Sequence, residues 1–181
     1  PARVIAEIAL VDALSGGRLD VGVGSGYQHY EFERLGADIS QNKTVFNEML
    51  DMIELGLSQA NFSYRGEYFE QQQTAINVRP VQTPHPPIWI AGADPISHRR
   101  CARDGYIPFI SGGIDGPDRI KKMRQQVEQC YVDEGKNPNS VPLGVLRFVC
   151  VSDDPTVIDR YVDGAWYQKR IAMALRHRRE V

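Results

Sequence analysis

The sequence predicts an α/β fold, and two observations carry that expectation. Short apolar runs of strand type alternate with amphipathic segments of helical period along most of the 181 residues. Turn and capping residues such as Ser15-Gly16-Gly17 and Gly92-Ala93-Asp94 separate them. Alternation of this kind argues for parallel strands with helical crossovers.

The elements follow in order. Val4, Ile5, Ile8, Val11 and Leu14 recur at helical spacing, so a helix is expected over 2–14, stopped by Ser15-Gly16-Gly17. Residues 18–24 (RLDVGVG) read as a strand, and 25–40 as a long polar loop anchored by Tyr27, Tyr30, Phe32 and Leu35. Phe46, Met49, Leu50, Ile53 and Leu57 mark a helix over 42–57. Residues 62–70 (FSYRGEYFE) read as a hairpin turning at Arg65-Gly66. The stretch 79–87 (RPVQTPHPP) carries four prolines and is expected to be irregular. Residues 88–91 (IWIA) form a short buried strand. A helix over 95–104 follows, with Asp94 as N-cap and Pro95 at its first position. A strand over 106–110, a helix over 117–134, a strand over 142–151 and a helical region from 155 to about 176 complete the order. No linker divides the chain, so residues 1–181 are expected to form one domain.

Composition narrows the function classes. The net charge is −2 and the isoelectric point about 6.1, which argues against a polyanion-binding surface and against nucleic acid as a partner. The basic cluster Lys169, Arg170, Arg176, His177, Arg178 and Arg179 reads as a solvated helix face or tail. Three cysteines, Cys101, Cys130 and Cys150, stand far apart and form no CxxC pair. Neither a disulfide framework nor a zinc site follows, and a reducing, cytoplasmic setting is expected. No apolar run reaches membrane-spanning length, and no signal peptide is visible. The chain starts in a helical pattern without Met, so an earlier natural beginning is expected.

Two segments carry chemistry. The first, 19–27 (LDVGVGSGY), has glycines at 22, 24 and 26, which let the backbone bend tightly or a ligand approach it. It fits a Rossmann-type phosphate loop, the glycine-rich loop of an S-adenosylmethionine-dependent methyltransferase, a strand end facing a cofactor, or plain tight packing. The nucleotide-loop readings need a helix directly after the last glycine and an acidic residue about 20 positions on. The aromatic-rich continuation Tyr27-Gln28-His29-Tyr30-Glu31-Phe32 does not read as helical, and nothing near position 45 supplies the acid.

The second segment is 86–105 (PPIWIAGADPISHRRCARDG). A strand runs into a helix through Gly92-Ala93-Asp94, and first-turn amides with the Ser97 hydroxyl make an anion site by geometry and dipole. The competing reading is an ordinary cap, in which the Asp94 carboxylate satisfies those amides itself and repels a phosphate. Among other candidates, His29 reads as a solvated loop residue or a substrate contact, and His85 as structural. His98 lies near the anion position. Tyr27 and Trp89 read as walls of a cofactor site or as core packing. No Ser-His-Asp or metal-ligand spacing is evident.

Taken in order, these motifs resemble the luciferase-like (bacterial luciferase family) flavin-dependent monooxygenases. The chain has Asp12-Ala13-Leu14-Ser15-Gly16-Gly17-Arg18, then Gly22-Val23-Gly24-Ser25-Gly26-Tyr27, then Glu31-Phe32-Glu33-Arg34-Leu35-Gly36. Next come Tyr64-Arg65-Gly66-Glu67-Tyr68-Phe69 and the run from Pro80 to Ala91 (PVQTPHPPIWIA). The resemblance implies (β/α) units of a TIM-barrel-like, eight-stranded barrel, of which this chain is about half. Roughly the first three strands and the last would be absent. It implies an oxidoreductase, a monooxygenase using reduced FMN (or a deazaflavin in some branches) and oxygen on a small organic substrate, with a separate flavin reductase as a possible partner.

The family's cofactor contacts map onto Gly24, Ser25, Gly26 and Tyr27, and onto Gly92, Ala93, Asp94 and Ser97, where the phosphate rests. No catalytic residue is assigned. Two departures lower the local positive character: Ser25 replaces an Arg common in relatives, and Asp94 a small or hydroxyl residue. Half a barrel leaves open sheet edges, so a homo-oligomer that completes the sheet is expected. Two rival readings remain: a non-catalytic fragment serving as an oligomerising or interaction module, and the methyltransferase.

Overall fold

The computed structural model describes residues 1–113 and 116–177. They pack into two compact units. The first contains residues 1–25 and 40–89, and the second residues 26–39 and those from 90 on.

In the first unit, helix α1 (Ala2–Ser15) buries Ile5 and Ala9. It ends at Gly16, whose φ of 67° is the left-handed conformation that glycine adopts without strain. Helix α3 (Asn42–Ser58) buries Leu50, Met52, Ile53 and Leu57. Met52, Ile53 and Leu57 join Ile5, Ala9, Phe62 and Ile76 in one apolar core. Burial of that core drives the packing of α1 on α3, because apolar area removed from water is the dominant favourable contribution. Arg79 closes the C-terminus of α3: its guanidinium donates to the carbonyls of Gly56 (2.9 Å), Gln59 (2.8 Å) and Leu57.

Strands β2 (Asn61–Arg65) and β3 (Glu70–Ala75) pair antiparallel, with Arg65 opposite Glu70. The expected hairpin is present but displaced. Its loop covers 66–69 and is closed by Gly66 N–H to the Phe69 carbonyl at 2.9 Å, and the second strand runs on to Ala75. The reason lies in α3, where the Glu48 carboxylate accepts from the amides of Glu67, Tyr68 and Phe69. That side chain satisfies a wider loop than Arg65-Gly66 alone would form. The proline-rich stretch is irregular, as its composition requires, and Thr83–Pro84 is cis.

Strand β1 is only Val21–Val23, shorter than the expected 18–24. The Leu19 carbonyl accepts instead from the Gln82 side chain at 2.7 Å, so the chain before Val21 is tied to the proline-rich stretch. Val21 N–H donates to the Pro87 carbonyl at 2.8 Å, at the start of β4 (Ile88–Ala91).

In the second unit the end of β4 lies beside β5 (Ile107–Gly113), and β5 lies beside β6 (Gly144–Arg147). β5 and β6 are parallel, with Phe109 opposite Gly144. Helices α4 (Pro95–Asp104) and α5 (Pro117–Asp133) share a core of Ala102, Val127, Cys130, Tyr131 and Val141. The last strand is shorter than the expected 142–151. Phe148, Val149 and Val151 are apolar but exposed, and β6 is an edge strand among the described residues. The helix expected from 155 is α6 (Pro155–His177). Of the basic cluster, Lys169 sits over the Trp166 ring at 5.4 Å, while Arg178 and Arg179 lie outside the described residues.

One expectation is overturned. Residues 25–40 are not a loop: they contain helix α2 (His29–Leu35) and a single 3-10 turn at Ile39–Gln41. α2 buries none of its residues, so the apolar period that reveals most helices is missing. Its signals are local. Glu31 lies in the first turn, Arg34 in the last, and Gly36 ends it at φ 66°. A helix therefore does follow the last glycine of the 19–27 segment, beginning at His29.

Candidate functional site

The strand-to-helix turn after β4 is the best-defined polar arrangement in the second unit. Asp94 caps α4 as expected. Its Oδ1 accepts from the Ser97 N–H at 3.2 Å, and its Oδ2 from the Ser97 hydroxyl at 2.9 Å. His98 N–H donates to the Asp94 carbonyl at 3.2 Å. A Cβ on Gly92 would stand 3.1 Å from both Cβ and Oγ of Ser97. The close approach that Gly92 permits is thus made by the chain's own Ser97.

His98 is buried, and both ring nitrogens are engaged. Nε2 is 3.1 Å from the Gly92 carbonyl and Nδ1 is 2.9 Å from the Gln126 amide nitrogen. A carbonyl only accepts and an amide NH2 only donates, so the proton sits on Nε2 and the ring is neutral. Burial lowers the His98 pKa below its ordinary value, against the opposing influence of the Gly92 carbonyl and Asp94. The neutral ring brings no positive charge to the anion position. It fixes the turn instead. Gln126 also reaches the Ala93 carbonyl at 3.4 Å, and Gly92 N–H donates to Phe109 at 3.2 Å. Gln126 was not evident from sequence, because it stands 28 residues from His98 and acts only once α5 packs on α4.

Asp94, Ser97 and His98 do not form a nucleophilic triad. The Ser97 hydroxyl donates to a carboxylate and has no base to take its proton, since both His98 nitrogens face elsewhere. Among the described residues no cluster of three His, Cys, Asp or Glu side chains could hold a metal ion.

The glycine segment is placed as follows. Gly24 follows β1 and is exposed, and Ser25 is half-buried. Gly26 has a φ of 75°, and a Cβ there would meet the Phe32 ring at 2.8 Å. Glycine at 26 is therefore demanded by the turn into α2. Tyr27 is 60% exposed, which excludes core packing for it within the described residues. Gln28 is buried, and its Oε1 is without a hydrogen-bond donor among the described residues. His29 is exposed at the start of α2. His85 is half-buried, with Nδ1 2.8 Å from the Pro86 carbonyl, in keeping with a structural role. Trp89 is half-buried. Among the described residues no helix is long and apolar enough to cross a membrane.

Comparison with known proteins bears on the whole chain. The luciferase-like monooxygenase family model matches residues 1–180. An uncharacterized protein, y4vJ, of Sinorhizobium fredii is 39% identical over 180 residues, covering 99% of this chain and 51% of that protein. The oxygenase component of flavin-dependent trigonelline monooxygenase from Acinetobacter baylyi is 34% identical, covering 68% of this chain and 34% of that protein. The chain thus spans about half, or less, of the curated relatives it matches. Among solved structures, the oxygenating constituent of 3,6-diketocamphane monooxygenase from Pseudomonas putida, in complex with FMN, superposes with a TM-score of 0.77 at 18% identity. The match covers 96% of this chain and 53% of that one. The expected fold class holds: the chain is α/β with parallel strands, and it corresponds to about half of a barrel monooxygenase of this type. The chain belongs to the luciferase-like monooxygenase family.

Proposed function

We propose that this chain is part of a flavin-dependent oxygenase that uses reduced FMN and oxygen on a small organic substrate. The observation that carries the reading is the family match over residues 1–180, with a relative named as flavin-dependent at 34% identity. The methyltransferase reading loses its support to that match. Bound reduced flavin would supply the electrons for oxygen chemistry, and a separate reductase would supply reduced flavin. The proposed cofactor contacts are Gly24, Ser25, Gly26 and Tyr27, and separately Gly92, Ala93, Asp94 and Ser97. The proposal extends to a cytoplasmic setting, a single domain and a homo-oligomer.

The second group of contacts does not fit a phosphate. The Ser97 amide and hydroxyl that would hold one are already taken by the Asp94 carboxylate, and Ser97 stands 3.1 Å from where a Gly92 Cβ would be. This favours a second reading, in which the chain keeps the family's architecture and serves as a non-catalytic packing module. Anaerobic titration of the purified chain with reduced FMN, followed by calorimetry, separates the two. Saturable binding is expected from the first reading. No heat up to millimolar flavin leaves the second.

A further inference from the structure

We infer that Asp94 is a specificity-determining residue: its carboxylate is a built-in occupant of the anion position at the start of α4. The ligand this chain takes is accordingly a flavin recognised without a phosphate at that turn. The ligand identity rests on the flavin reading above; the role of Asp94 does not.

Three features of the turn support this. Pro95 has no N–H, the Ser97 N–H and O–H both go to the Asp94 carboxylate, and the His98 N–H goes to the Asp94 carbonyl. A phosphate brought to the same donors would meet a carboxylate of like charge, a repulsive element of the kind that excludes a competing ligand. The turn is also clamped from three sides. Phe109 holds the Gly92 amide, His98 the Gly92 carbonyl and Gln126 the Ala93 carbonyl. Widening it to admit a second anion would break bonds to α4, α5 and β5 together. On the side where a Gly92 Cβ would stand, Ser97 already occupies the space, with its Cβ and Oγ 3.1 Å from that position.

The test uses the full chain and two variants. Asp94→Asn keeps a capping acceptor and loses the charge, so it is expected to fold; Asp94→Ser restores a hydroxyl. Thermal unfolding is followed in inorganic phosphate and in chloride at equal ionic strength, with sulfate as a control for general salt stabilisation. The readout is the phosphate-induced shift of each variant minus that of the unaltered chain. A positive, saturable difference is expected for both variants. Calorimetry then compares FMN with riboflavin: the unaltered chain should bind them within about threefold, and the variants should favour FMN by about tenfold or more. Equal phosphate stabilisation of all three proteins, or of none, overturns the inference, as does a tenfold FMN preference in the unaltered chain. A phosphate difference with no binding of either flavin leaves Asp94 as the guard of the turn and removes the flavin reading alone.

Discussion

Asp12 and Gln82 stand 70 residues apart, and the Asp12 carboxylate accepts from both the backbone amide of Gln82 (3.0 Å) and its side-chain amide (2.8 Å). It also takes the Val81 amide at 2.7 Å. Asp12 is fully buried, so it is the anchor that holds the proline-rich stretch to α1. Asp12→Ala leaves three part-buried N–H groups of Val81 and Gln82 without their acceptor and should cost about 2–4 kcal/mol in denaturant unfolding. Burial pushes the Asp12 pKa up, but the hydrogen bonds from Gln82 and Val81 outweigh it, and the net direction is down. A carboxylate with a folded pKa below its unfolded value stabilises fully above the unfolded value, near 3.9, and loses that contribution as pH falls through the folded one. The stability gap between the chain and Asp12→Asn should therefore narrow below about pH 4.

Gly56 decides between helix propensity and packing. Alanine is the better helix former by about 1 kcal/mol. At this position, however, a Cβ would stand 2.8 Å from Ile5 Cδ1 and 3.0 Å from Phe62 Cε1, inside the core. Overpacking costs about 1–3 kcal/mol and wins. Gly56→Ala should lower the melting temperature; an increase would show that Ile5 and Phe62 move aside freely.

His98 predicts a second pH dependence, at a higher range. Its folded pKa lies below the ordinary value of 6.5 because it is buried. The unfolded chain takes up a proton below about pH 6.5 while the folded one does not, so stability is full above that pH and falls below it. His98→Leu should flatten this slope. At pH 8 it should also cost about 1–3 kcal/mol, because the Gly92 carbonyl loses its donor.

The cysteines give a chemical readout. Cys101 is fully buried, and burial pushes its thiol pKa up to about 12. Cys130 is also buried and raised by burial, whereas Cys150 is only half-buried. Brief alkylation of the native chain at pH 8, read by peptide mass spectrometry, should label Cys150 first and leave Cys101 untouched until the chain is denatured.

Where the chain's local chemistry and its packing agree, the structure was legible in the sequence. The Gly16 stop of α1, the Asp94-Pro95 start of α4 and the buried Ile88 and Ile90 of β4 are set by neighbours a few residues away. The ordered motifs also identified the family. α2 was missed because it buries nothing and so shows no apolar period. The roles of Asp12, Glu48 and Gln126 were hidden for another reason: each partner lies 19 to 70 residues away and meets it only after packing. For the candidate site, sequence located the α4 turn. Asp94 caps that turn, as its position before Pro95 predicts.

Under the proposed function, flavin contacts the segment from Gly24 to Tyr27. The most direct measurement is amide hydrogen exchange of the chain, with and without saturating reduced FMN under anaerobic conditions. Contact with flavin should slow exchange in peptides covering residues 22–28. Unchanged exchange there at saturation would contradict it.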